Sequence, residues 1–177
     1  ERARRRGVLS LKMGKNTNTP NERAIDDYLI CLERVYALAD YVTVNISSTN
    51  TQGLRDLQQA DALHALISRL REAQETLAAR HGRRTPMLVK IAPDLDDAEI
   101  DAIAGTLLDV GVDGIIATNT TVSRAFIQGN RLAAETGGLP GQPLYTKSTA
   151  ALSRLRAPVG TRIPRIGVGG MPSAAAA

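Results

Sequence analysis

The chain has 177 residues, enough for one domain with a real core but short of the roughly 250 that a closed (β/α)8 barrel needs. Leu, Ile, Val and Ala supply most of the apolar content, with no Trp and a single Phe, a composition suited to helices packed on parallel strands. The formal charge of +4 is concentrated at Arg2 and Arg4 to Arg6 and in residues 154–165, and Tyr28, Tyr36, Tyr41, Phe126 and Tyr145 interleave with neither run, so both runs read as solvated segments and no nucleic-acid partner is expected.

In chain order, a strand over residues 8–13 precedes a helix over 21–39, opened by Pro20-Asn21-Glu22. The only cysteine, Cys31, falls in that helix among Tyr28, Leu29, Leu32, Val35 and Tyr36. It therefore reads as a small core residue, and neither a disulfide framework nor a thiolate metal site can be built. A strand over 41–46 leads to a helix over 57–80, with Leu63, Leu66, Ile67 and Leu70 on one face and Gly82 after its end. A strand over 87–91 leads to a helix over 95–110, opened by Pro93-Asp94-Leu95-Asp96, carrying Ile100, Ile103, Leu107 and Val110 on one face and followed by Gly111. A strand over 114–118, a helix over 146–155 and a strand over 165–168 complete the series. His64 and His81 fall on and just after a helix, away from every strand end, and read as surface or helix histidines. No apolar run reaches membrane-spanning length and no signal peptide is visible, so this segment reads as soluble.

Strand and helix alternating four times, with a final strand, imply right-handed crossovers and a parallel sheet. A barrel segment and a doubly wound sheet both satisfy that pattern. Polar residues favour the barrel, because they gather at the carboxyl ends of strands: Asn45-Ile46-Ser47-Ser48-Thr49-Asn50-Thr51-Gln52-Gly53-Leu54-Arg55, then Lys90, then Thr118-Asn119-Thr120-Thr121. A barrel brings those ends to one face and one pocket, whereas an open sheet spreads them along an edge.

Asn45 and Asn50 offer donors and acceptors suited to a planar ligand rich in amide and carboxylate oxygens, although the same loop composition also makes ordinary turns. Lys90 sits in the apolar strand Met87-Leu88-Val89-Lys90-Ile91, where an unpaired ammonium is costly to bury. It points to an anionic partner such as a reduced flavin or a phosphate, with snorkelling to water or a neighbouring acid as the alternative. Thr136-Gly137-Gly138-Leu139-Pro140-Gly141 and Gly167-Val168-Gly169-Gly170 could let backbone amides approach a phosphate or an isoalloxazine ring. There is no Ser-His-Asp arrangement, paired-histidine metal site or Walker sequence. Hydroxyls, carboxamides, one lysine and glycines suit a cofactor that does the hard chemistry itself.

These segments, with Lys90-Ile91-Ala92-Pro93-Asp94-Leu95, Gly14-Lys15-Asn16 and Asp26-Asp27-Tyr28, closely resemble in order and spacing those of class 2, quinone-dependent dihydroorotate dehydrogenases. The resemblance runs over essentially the whole chain. It implies an α/β fold, a partial (β/α)8 barrel of five strands and four helices, with residues 1–177 forming a single incomplete catalytic domain. Counted against the family, the chain supplies the third to seventh strands, and the first two and the eighth, with its flavin-phosphate loop, are missing, so weak or no FMN binding by this chain alone is expected.

The resemblance implies oxidation of dihydroorotate to orotate in pyrimidine biosynthesis, with FMN as hydride acceptor and a membrane quinone as final acceptor. Ser48 matches the base that removes the C5 proton, where a cysteine would mark class 1. Asn45 matches a contact to both flavin and substrate; Asn50, Asn119 and Thr120 match substrate contacts; Lys90, Thr118, Gly141 and Gly170 match FMN contacts. Thr51 is a candidate for passing the Ser48 proton onward. The family's peripheral place on the cytoplasmic face of a bacterial inner membrane is implied as well, while oligomeric state is not. The chain departs from the pattern at Lys12 (usually Asn), Thr49 (usually Pro), Pro140 (usually Ser) and the closing Ala174-Ala175-Ala176-Ala177. Another FMN barrel, such as a class 1 enzyme or a dihydrouridine synthase, and a non-catalytic fragment are the alternative readings.

Overall fold

The computed structural model describes residues 7–51 and 53–173; the Arg4 to Arg6 run, Gln52 and the closing alanines lie outside them. Five strands alternate with four helices: β1 (Ser10–Met13), α1 (Ala24–Val35), β2 (Tyr41–Asn45), α2 (Ala60–His81), β3 (Met87–Ile91), α3 (Asp97–Val110), β4 (Gly114–Ala117), α4 (Tyr145–Val159) and β5 (Arg165–Gly167). The strands form one parallel sheet in the order β1-β2-β3-β4-β5. Sequential order separates the two topologies that periodicity left open. A doubly wound sheet reverses its order at a switch point, whereas a barrel adds each strand beside the last.

Helix placement agrees with winding in a single direction. Each helix packs on the next, α1 on α2, α2 on α3 and α3 on α4. Strand residues Val42, Val44, Met87, Val89, Ile91, Ile115 and Ala117 share one core with Leu63, Ile67, Leu70, Ile100, Ile103 and Leu107 from the helices. The alternating strand positions Lys12, Thr43, Asn45, Lys90 and Ile116 belong to the opposite face of the pleat. Cys31 packs at the edge of the helix-side core, as expected of a small apolar residue.

Local chemistry explains the element ends. Gly82 and Gly111 close α2 and α3 in the left-handed region, at φ 61° and 75°, where a side chain would be strained. Asp96 caps α3 by accepting from the Glu99 amide at 2.8 Å, and the Glu99 carboxylate accepts from the Asp96 amide at 2.7 Å, a complete capping box. Asp94, grouped with the helix opening from sequence, takes no part in that cap. At the amino ends of β3 and β4, buried Gln74 donates to Thr85 O (2.7 Å) and Asp113 Oδ2 (3.0 Å), while Asp113 also accepts from Met87 N (2.8 Å). This polar knot lies at the end of the sheet opposite the candidate site and serves stability.

Candidate active site

β2 delivers Asn45 as its last residue, in register with Lys90 on β3, and Lys90 is in register with Ile116 on β4. Asn119 and Thr120 follow two and three residues beyond the end of β4. Parallel register thus carries residues far apart in sequence to one level of the sheet.

Hydrogen bonds lock them there. Asn119 Nδ2 donates to Asn45 Oδ1 and to Ser47 Oγ, both at 3.1 Å, and Asn119 Oδ1 accepts from the Thr120 amide at 2.9 Å. Ser47 Oγ donates to the Lys90 carbonyl at 2.8 Å, and the Asn119 amide donates to the Ile91 carbonyl at 2.9 Å. Behind Asn45, fully buried Tyr28 donates its hydroxyl to the Asn45 carbonyl at 2.7 Å. Burial pushes the Tyr28 phenol well above its ordinary pKa, so it stays a donor across the physiological range.

Ser48 is half-buried, and its Oγ accepts from the Asn50 amide at 3.3 Å. Asn50 itself is exposed, with its side-chain oxygen accepting from Thr49 Oγ1 at 3.2 Å. Lys90 is half-buried, and among the described residues no carboxylate pairs with it. Burial, and secondarily the charge of Lys12, lower its pKa.

Thr118 is buried and belongs to the seam between β4 and β5: its amide donates to Val168 O at 2.8 Å and its hydroxyl to Asn119 O at 2.9 Å. Gly141 and Gly170 face each other at the start of α4, both with positive φ (77° and 72°). A Cβ on Gly170 would lie 2.7 Å from Gly141 O and 2.6 Å from the Tyr145 amide nitrogen. Gly170 is thus packed tightly on the backbone at the start of α4, while a Cβ on Gly141 would meet only Pro143, at 4.0 Å, so the approach to this helix amino terminus beside Gly141 is free of side chains, a setting that accepts anions. Direct hydrogen bonds join Asn45 and Asn119 and reach Thr120, whereas Lys90, Gly141 and Gly170 join the arrangement through strand register and backbone packing.

Four contributors were not legible as site residues. Ser47 acts through a backbone carbonyl of the next strand, Arg55 and Asp94 form an ion pair between two loops (3.0 Å), and Arg124 holds the return loop. Arg124 Nη2 donates to Glu135 O (2.9 Å) and Gly137 O (2.8 Å), and Thr121 bridges Leu139 in antiparallel fashion. Gly137-Gly138 is thereby laid on the site, so closely that a Cβ on Gly138 would overlap the Thr120 side chain. His64 pairs with Asp109 (3.2 Å) and His81 stacks on Tyr36, both away from the strand ends. Among the described residues no cluster of His, Cys, Asp or Glu could hold a metal ion, and no helix is long and apolar enough to cross a membrane.

Sequentially ordered parallel strands, with a network of carboxamides, hydroxyls and one lysine at their carboxyl ends, define the site-bearing face of a (β/α)8-barrel protein. Residues 2–177 match the family described as "Dihydroorotate dehydrogenase", and the chain belongs to that family. It is 61% identical over 172 residues to a "Dihydroorotate dehydrogenase (quinone)" of Flavobacterium lutescens, covering 97% of this chain and 49% of that relative. It is likewise 61% identical over 176 residues to the protein of the same description from Xanthomonas oryzae pv. oryzae (strain PXO99A), covering 99% and 50%. A crystal structure of DHODH from Eimeria tenella in complex with ferulenol superposes with a TM-score of 0.91 at 37% identity, over 99% of this chain and 50% of that one. The chain thus spans about half the length of the curated relatives it matches.

Proposed function

We propose that this chain is the site-bearing part of an enzyme that oxidises dihydroorotate to orotate, with FMN as the immediate acceptor and a quinone as the final one. The observation that carries this reading is the Asn45–Ser47–Asn119 network set beside the half-buried, carboxylate-free Lys90. A half-buried cation with no carboxylate partner among the described residues suits a ligand that becomes anionic, and the side-chain-free approach beside Gly141 at the start of α4 suits a flat or phosphorylated group. These residues fit FMN. When bound, FMN would supply the acceptor for the hydride leaving C6 of the substrate.

In this reading the chain's own groups bind, orient and deprotonate. Asn50, Asn119 and Thr120 hold the substrate's carboxylate and amide groups, and Asn45 stands between substrate and flavin. Asn119 is held in one orientation, because its two Nδ2 hydrogens go to Asn45 and Ser47 and its oxygen accepts from Thr120 N, which leaves the second lone pair of that oxygen to accept from a substrate N–H. Ser48 Oγ takes the C5 proton, and as a weak base at neutral pH it must pass that proton on, with Thr51 as the neighbouring hydroxyl. Lys90, Thr118, Gly141 and Gly170 line the flavin, and the Lys90 ammonium stabilises negative charge there. The quinone named for the bacterial relatives supports a peripheral place on the cytoplasmic face of the inner membrane.

In a complete enzyme containing this segment, Ser48→Ala is expected to keep FMN bound while slowing anaerobic flavin bleaching by dihydroorotate by about 10²-fold or more, the usual worth of a positioned base. Stopped-flow absorbance decides it. Bleaching at the parental rate would remove Ser48 from the mechanism, and no bleaching of the parent enzyme would reject the reaction itself.

A further inference from the structure

One carboxylate beside the site gathers donors from three separate segments. Asp94, in the β3–α3 loop and only 14% exposed, pairs with Arg55 Nη1 at 3.0 Å and with Lys147 Nζ of α4 at 3.2 Å. Its oxygens also accept from Thr121 Oγ1 and, at 2.9 Å, from the Val122 amide. The other arm of the Arg55 guanidinium, Nη2, donates to the Thr120 carbonyl at 3.0 Å. Arg55 therefore bridges Asp94 to the backbone of a proposed substrate-binding residue, a span its planar fork suits.

The Ser48 loop hangs between two anchors. At its start Ser47 is tied to Lys90 O and to Asn119 (2.8 and 3.1 Å), and at its end Arg55 is tied to Asp94 and Thr120. Both anchors reach the loop after β4, so the separation between Ser48 and Asn119-Thr120 depends on both. We propose that Asp94 is a positioning residue that, through Arg55, holds the Ser48 loop in register with Asn119-Thr120; this rests on the functional reading above. Burial pushes the Asp94 carboxyl up, but hydrogen bonds from Thr121, Val122, Arg55 and Lys147 outweigh it and hold the pKa below its ordinary value. The clasp is thus charged at neutral pH. The cap of α3 is supplied by Asp96, which leaves the Asp94 carboxylate to the two flanking loops and to Lys147 of α4.

The test uses a complete holoenzyme containing this segment, with orotate titrated against the flavin absorbance. Asp94→Asn is expected to retain FMN, weaken orotate at least tenfold and raise KM for dihydroorotate by a similar factor, with a smaller fall in kcat. Arg55→Lys, whose single ammonium cannot span both acceptors, is expected to shift the same quantities in the same direction, and it decides the matter if Asp94→Asn does not fold. Arg154→Ala, which removes an ion pair to Asp101 on the outer surface between α3 and α4, serves as the control and is expected to leave orotate affinity alone. Parental orotate affinity in the clasp variant that folds would overturn the proposal. So would losses of FMN, thermal stability and orotate affinity in step, which mark general destabilisation. A parent that shows no orotate response at all would instead sink the functional reading, and the clasp with it.

Discussion

Tyr28 links the helical layer to the site through one atom. Its ring is buried in the core, and its hydroxyl donates to the carbonyl of Asn45 at 2.7 Å. Tyr28→Phe keeps the packing but leaves a buried carbonyl short of a donor, which costs about 1–3 kcal/mol. Urea unfolding should show that loss in midpoint with the slope unchanged, and a variant as stable as the parent would mean the bond contributes nothing net. The lesson extends to what single residues disclosed. Asn45, Lys90, Thr118 and Asn119 could be put at strand ends from sequence because Lys90 interrupts an apolar strand near its end and the others close or follow one, where a polar side chain needs a reason. Ser47 and Asp94 could not, because their partners are a backbone carbonyl 43 residues away and an arginine 39 residues away. Serine and aspartate in loops do turn and cap work by default, so from sequence Pro93-Asp94-Leu95-Asp96 reads only as a helix opening. Geometry divides the labour between Asp96 on the helix and Asp94 on the loops.

Elements were legible where periodicity and punctuation agreed, and shifted where a short-range signal misled. β3 has the bounds its apolar run indicates, and glycines at 82 and 111 mark the ends of α2 and α3. The first helix starts later than expected, because residues Asn21–Arg23 take a 3-10 turn before α1 begins. α4 runs past the expected end at Leu155 to Val159 and includes Pro158. Proline in a last turn removes one donor but leaves the preceding turns intact, and buried Val159 anchors the extension from the core side. The capping box at α3 allows a sharper test of an element's contribution. Asp96→Ala removes the acceptor for the Glu99 amide and frees the reciprocal bond, for an expected loss of about 1 kcal/mol. Since Asp94 is separate from the cap, thermal denaturation should register this loss while orotate affinity in the complete enzyme stays at the parental value. A fall in orotate affinity would show that cap and clasp act as one unit.

At the scale of the whole molecule, the sheet is wound in one direction, and its end strands each have one neighbour among the described residues, β1 pairing with β2 and β5 with β4. Edge strands left unpaired present rows of amides and carbonyls that template association, and here they are accompanied by apolar exposure at Ile166 and Val168, each 38% accessible. The 177-residue chain produced by itself is therefore expected to associate through these edges and to bind an apolar fluorescent dye, and extension by further strands should suppress both. Flavin binding follows the same logic. The family resemblance assigns the flavin-phosphate loop to a strand beyond the five described. On that reading, a chain produced without the loop would bind FMN more weakly than a complete enzyme, since each charge-assisted hydrogen bond to a phosphate is worth ~1.5–3 kcal/mol, or roughly tenfold or more in affinity. Sedimentation velocity, dye fluorescence and a flavin-fluorescence titration of the isolated chain against a complete enzyme test these effects together. A single small species with dye-silent edges and parental flavin affinity would mean that the five strands already make a closed, self-sufficient site.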